Sequence, residues 1–122
     1  MTPRLWIVAV ELFGPRGSHI VRAVIDTGAT ATLMPPEALV AIGCDPALSA
    51  ERTRIVTASG TEYLAVVRVP EIKALGHRMR HLHVMSHALP TSSTVNGLLG
   101  MDFLLQLPAF RQFDKHFQEF FV

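Results

Sequence analysis

Ten acidic side chains are spread over the 122 residues, and one of them has an unusual setting. Asp26 closes the apolar run Ala23-Val24-Ile25 and is followed at once by Thr27-Gly28-Ala29. A carboxylate at a strand end, held in a tight turn, is fixed in position and partly desolvated. Those are conditions under which carboxylates take on acid–base work. Thr27 adds a hydroxyl that can lock the turn, and Gly28 permits a backbone path or close approach that a side chain would block. A plainer reading fits the same residues: Asp26 nucleates an Asx-turn after a strand, and Gly28 completes it. The tripeptide alone does not separate the two.

Other groupings carry less. His77, His81, His83 and His87 cluster in sequence, and His81 and His83 at i,i+2 would share a strand face as metal-binding pairs do. No Cys, Asp or Glu accompanies them between residues 77 and 90, so no metal is expected. Cys44 is the only cysteine, which excludes an intramolecular disulfide and a thiolate metal cluster; it reads as an unreactive thiol. Gly97-Leu98-Leu99-Gly100 lacks the Lys-Ser/Thr of a phosphate-binding loop. Ser18, Ser59, Ser86, Ser92 and Ser93 occupy no nucleophile elbow. No cofactor is expected.

The elements that must hold Asp26 can be read from hydrophobic patterning. Residues 5–13 and 19–25 are apolar runs around Gly14-Pro15-Arg16-Gly17, a β-hairpin pattern. A short apolar stretch returns at Thr32-Leu33-Met34. Pro35 to Gly43 opens on prolines and an acid and closes on glycine, which predicts a helix of about two turns. Residues 52–58 and 61–69 predict strands joined at Ser59-Gly60. Residues 72–75 and 79–85 continue the β pattern, split at Gly76-His77. A polar loop at 90–94 leads to the apolar, glycine-flanked Leu98-Leu99, and 101–107 has helical spacing. The tail, with Phe110, Phe113, Phe117 and Phe120 around an Asp114-Lys115-His116 turn, suits a buried or intersubunit sheet better than a partner patch. Short strands at turn-punctuated intervals with one or two brief helices predict a mostly-β barrel or sandwich, one domain over 1–122.

The order of these features resembles the retroviral type of aspartic peptidase, the retropepsin-like family. Val24-Ile25-Asp26-Thr27-Gly28-Ala29-Thr30 looks like its active-site loop. The 52–69 hairpin, tipped by Ser59 and Gly60, stands where its flap would be. Leu98-Leu99-Gly100, followed by Met101-Asp102-Phe103-Leu104, looks like its aliphatic-aliphatic-Gly segment and helix. Gly100-Met101-Asp102 and a single flap glycine are closer to cellular and bacterial members than to viral ones. The resemblance implies a closed β fold that works as an obligate two-fold homodimer, with Asp26 catalytic. It implies that Thr27 braces the two active-site loops across the interface and that Gly28 meets substrate backbone.

The dimer has a chemical reason. Peptide hydrolysis without a metal or covalent intermediate needs a base to activate water and an acid to protonate the carbonyl oxygen. Two carboxylates sharing one proton can do both. The chain supplies one such residue, because Asp45, Asp102 and Asp114 are not followed by Thr-Gly and no second half repeats the fold. For Asp102 a structural role, capping or ion pairing, is expected. The expected function is thus a homodimeric aspartic endopeptidase in which paired Asp26 carboxylates activate a water. The alternative is a non-catalytic dimeric peptide-binding module on the same fold.

Composition narrows the partners. Hydrophobic residues are 49% and charged residues 17%, enough to bury a core and unlike a disordered chain. A net charge of +1 and scattered basic residues give no long-range field for nucleic acid or an anionic membrane. No apolar run approaches the roughly 20 residues of a membrane span. The first residues lack the apolar stretch and cleavage site of a signal peptide. The expected partners are a second copy and a peptide or protein substrate, with no nucleic acid and no membrane contact, in the cytoplasm.

Overall fold

The computed structural model describes residues 6–89, 94–108 and 110. Its seven strands are β1 (Ile7–Gly14), β2 (Gly17–Ile25), β3 (Leu33–Met34), β4 (Arg52–Thr57), β5 (Gly60–Ala74), β6 (His77–Ser86) and β7 (Gly97–Leu99). Two short helices, α1 (Pro36–Ala41) and α2 (Met101–Leu104), and a 3-10 turn at Pro46–Leu48 complete it. Sheet order runs β1-β2-β7-β3-β6-β5, and a further pairing of β1 with β5 closes six strands into a barrel. β4 hangs on β5 outside the ring. No helix among the described residues is long and apolar enough to cross a membrane.

Alternation makes the first hairpin. Val10 and Leu12 on β1, and Val21 and Ala23 on β2, are fully buried, while their sequence neighbours face outward. That two-residue period is what a half-buried strand requires. Pro15 and Arg16 form the turn between the paired Gly14 and Gly17, as expected. Helix α1 begins at Pro36, a residue pre-set for the first turn, and buries Ala38 and Leu39. Phe103, Leu12, Met34, Leu39, Ile42, Ile72, Leu99 and Leu104 lie at the centre of the core. Each such side chain contributes about 1.5–3 kcal/mol on burial. The two helices therefore act as plugs for the barrel more than as elements stable by themselves.

The structure departs from the sequence pattern in four places. The segments 61–69 and 72–75 are one continuous β5, carried through Pro70. The flap turn is Ala58-Ser59, with Gly60 already the first residue of β5 and paired with Thr57. The β5–β6 turn is Leu75-Gly76, one residue earlier than expected, with Ala74 opposite His77. Helix α2 ends at Leu104, short of residue 107, although single turns continue beyond it. Phe110 packs against the core, whereas the expected terminal strands beyond it fall outside the described residues, as does most of the 90–94 loop.

Candidate active site

Asp26 stands at the first position beyond β2, and its backbone is held by a strand far away in sequence. β7 runs parallel to β2, pairing Ala23 with Gly97, Val24 with Leu98 and Ile25 with Leu99. The Asp26 N–H then donates to the Leu99 carbonyl at 3.0 Å. On its other side β7 meets β3 through Leu33 and Leu98. The residues between Asp26 and Thr32 therefore arch from one neighbour of β7 to the other. The two motifs singled out in the sequence lie side by side.

The arch is stitched down along its length. Ala29 N–H donates to the Asp26 carbonyl at 3.2 Å, closing a tight turn. Gly28 N–H donates to Asp26 Oδ1 at 2.9 Å. This is the Asx-turn of the plainer reading, and it also orients the carboxylate. A Cβ at position 28 would sit 3.2 Å from that oxygen, tight enough to disturb it. Met101 and Asp102 N–H groups donate to the carbonyls of Ala29 and Thr30 at 2.8 and 3.2 Å. Gly100 is where helix and arch touch, since a Cβ there would fall 2.6 Å from the Ala31 carbonyl oxygen. No side chain fits in that space.

Thr32 and Asp102 form a brace that sequence reading missed. Asp102 Oδ2 accepts from Thr32 N–H at 3.0 Å, and its Oδ1 accepts from the Thr32 hydroxyl at 2.7 Å. Oδ1 also accepts from Phe103 N–H at 2.8 Å. Thr32 is fully buried, and its Oγ1 accepts in turn from Gly100 N–H at 3.1 Å. A buried hydroxyl must find partners for both its functions, and here both are used. Asp102 thus has the structural role expected of it, as a hydrogen-bonding brace between the arch and α2. The signal was invisible in one sequence, because the partners lie 70 positions apart.

At the apex, Asp26 is half-buried while Thr27, Gly28 and Thr30 are exposed. Alongside, Ile25 N–H donates to the Trp6 carbonyl at 2.8 Å. Trp6 is 72% and Ile7 38% exposed, so apolar surface lies open beside the strand that carries Asp26. The other groupings disperse. His77 packs edge-on against Phe103, ring centroids 6.0 Å apart, while His81 and His83 are exposed on β6. Arg78 and Arg80 straddle Glu71 at 3.4 and 4.0 Å, which offsets part of their positive charge. Burial pushes the Cys44 thiol up, which lowers its reactive thiolate fraction.

Comparison with known proteins agrees with this arrangement. Residues 17–106, well over half of the chain, match the family model described as "gag-polyprotein putative aspartyl protease". A retropepsin-like aspartic protease from Rickettsia conorii superposes with a TM-score of 0.66 at 16% identity, covering 84% of this chain and 79% of that one. At that identity the likeness speaks for the fold. No curated protein sequence matches. The matched span runs from the start of β2, through the Asp26 arch and the hairpin, to the helix that braces them, and on that span the chain belongs to the retropepsin-like aspartic protease family.

Proposed function

We propose that two copies of this chain pair about a two-fold axis, bring their Asp26 carboxylates together and hydrolyse peptide bonds. The observation that carries the reading is the arch. One carboxylate is oriented by Gly28 N–H, its backbone is fixed by β7, and Thr27 and Gly28 lie exposed beside it. Much hydrogen bonding holds a single acid at an accessible apex. The exposed Trp6 and Ile7 next to it supply apolar surface of the kind that a partner subunit covers. A closed dimer also needs nothing but this chain to provide the second acid.

In the pair, the carboxylates share one proton, as in aspartic proteases generally. The ionised member takes a proton from water as that water attacks the carbonyl carbon. The protonated member gives its proton to the carbonyl oxygen, forming a neutral tetrahedral diol. Reversal of the roles then protonates the leaving nitrogen and breaks the C–N bond. Across the interface, Thr27 hydroxyls would brace the two arches, and Gly28 would face substrate backbone. The β4–β5 hairpin, with Ser59 and Gly60 at its end, would close over an extended peptide. Leu98, Leu99 and Gly100 support from below.

The test is cleavage of a random peptide library at several pH values, with and without pepstatin, by the parent and by Asp26→Asn. That substitution is nearly isosteric, so the arch and dimer should survive while turnover falls by at least about 10⁴-fold. Cleavage persisting in a dimer with Asn at both positions would move the reaction elsewhere. Peptide binding without cleavage by the parent at any pH would make the chain a binding module.

A further inference from the structure

Strand β7 is three residues long. Among the described residues it pairs with β2 and β3, both far from it in sequence, so no hairpin turn sets its register. Register nevertheless matters, because the Asp26 N–H reaches the Leu99 carbonyl only when Ile25 lies beside Leu99. Two residues at the start of the strand supply what the turn would have given. A Cβ on Gly97 would stand 2.7 Å from Val21 Cγ1, and Val21 is fully buried and stiff at χ1. A slip by one residue in either direction would bring the side chain of Asn96 or Leu98 into that space. Gly97 thus excludes the wrong registers, but it does not fasten the right one. Asn96 does. Its N–H donates to the Arg22 carbonyl at 3.0 Å, and its Oδ1 accepts from the Arg22 N–H at 3.1 Å. In a parallel pair the donors facing one neighbour recur at every second residue. Counting back from Asp26 through Val24, the Arg22 N–H belongs to the same row, and a side-chain oxygen takes it where the ladder would use a backbone carbonyl.

We propose that Asn96 is a positioning residue for Asp26: by clamping Arg22 it anchors β7 against β2 and holds the Leu99 carbonyl under the Asp26 N–H. The effect on turnover rests on the peptidase reading above. Four residues of β2, about 13 Å, separate Arg22 from Asp26, so Asn96 acts through the strand and not by contact with the carboxylate. A three-residue strand loosened at its start gives at its end. The side-chain oxygen is the working part. Asp in its place keeps the acceptor, Ala removes it, and Leu keeps the bulk without it. Asn96 is exposed, so water can take up the Arg22 N–H when the side chain is cut back. The barrel then loses little, and what changes is how firmly the Leu99 carbonyl is held.

The experiment compares the parent with Asn96→Ala, Asn96→Leu and Asn96→Asp. Amide exchange followed by NMR should quicken at Arg22 and at Asp26 in the Ala and Leu variants by about three- to tenfold, the equivalent of one hydrogen bond. Val10 and Val69, in the barrel wall, should exchange as in the parent. Turnover is taken per folded chain, at concentrations where the rate per chain no longer rises. There kcat should fall by a similar factor with KM unchanged. Asn96→Asp should bring exchange and kcat back to parental values. Asp26 exchange that Asn96→Ala leaves unchanged overturns the inference, as does an Asp variant as impaired as the Ala one. A quickened Asp26 amide with parental kcat overturns it too, leaving Asn96 a purely structural clamp. Should the parent cleave nothing, the peptidase reading fails separately, and exchange at Asp26 alone decides whether Asn96 holds the arch.

Discussion

At the scale of single residues, the arch that carries Asp26 depends on Asp102 more than its place in the sequence suggests. Its two oxygens accept from Thr32 N–H, the Thr32 hydroxyl and Phe103 N–H. Asp102→Ala strands the Thr32 N–H and hydroxyl, both on a fully buried residue, while Phe103 N–H keeps a bond to the Gly100 carbonyl at 3.2 Å. We expect a loss of about 2–5 kcal/mol in urea unfolding, with turnover falling further than the folded fraction does. Asp102→Asn keeps the shape and one acceptor oxygen and should cost less. An Asp102→Ala protein as stable as the parent would show that the brace contributes nothing. Asp26, Thr27 and Gly28 were legible in the sequence because they form a contiguous string with a turn chemistry of its own. Thr32 was not, since a threonine after a loop looks like any other until the fold brings α2 against it.

Among the elements, the strands were legible wherever apolar and polar residues alternate, and the splitting of β5 has a local cause. Pro70 looks like a strand end because it offers no N–H to a ladder. In the fold it lies between the pairs Val69–Leu82 and Glu71–Arg80, facing His81, whose φ is 57°. The buried set on β5 shifts from Val67 and Val69 to Ile72 and Ala74, and the strand continues. The hairpin ends carry two predictions. Leu75 and Gly76 have φ of 53° and 73°, a two-residue turn that favours Asn-Gly. Leu75→Asn should stabilise by about 0.5–1 kcal/mol, since Asn tolerates the left-handed region better than Leu; an unchanged or lower Tm would refute it. Gly60 has φ of 134°, where a β-branched residue is strained by roughly a kcal/mol or more. Gly60→Val should lower turnover while leaving sedimentation and the unfolding of the barrel unchanged. Parental kinetics in that variant would show that this hairpin is not the flap.

For the whole molecule, the reading turns on concentration and pH. If two chains build one site, activity falls with the square of protein concentration below the dimer Kd. Linear activity down to full dissociation would mean a monomeric catalyst. A mixed dimer with one Asp26→Asn chain should be as inactive as one with two. On the proposed mechanism, a proton shared by the pair would confine activity to an acidic window, between about pH 4 and 6.5. As pH rises the second carboxylate ionises, the general acid is lost and the rate falls. Full activity at pH 9, or dependence on added zinc, would contradict the mechanism.

The threading of β7 between β2 and β3 has a consequence for how the protein comes into being. Asp26 N–H needs Leu99, and Thr32 needs Asp102, yet the ribosome delivers Asp26 long before either. Chains are made at about 5–20 residues per second and fold from the N-terminus onward. The β1–β2 hairpin and the β5–β6 hairpin can form from local contacts during that interval. The arch over Asp26 cannot close until the strand that runs beneath it has emerged. A nascent chain carries Asp26 well before it holds the geometry that the folded arch gives that carboxylate.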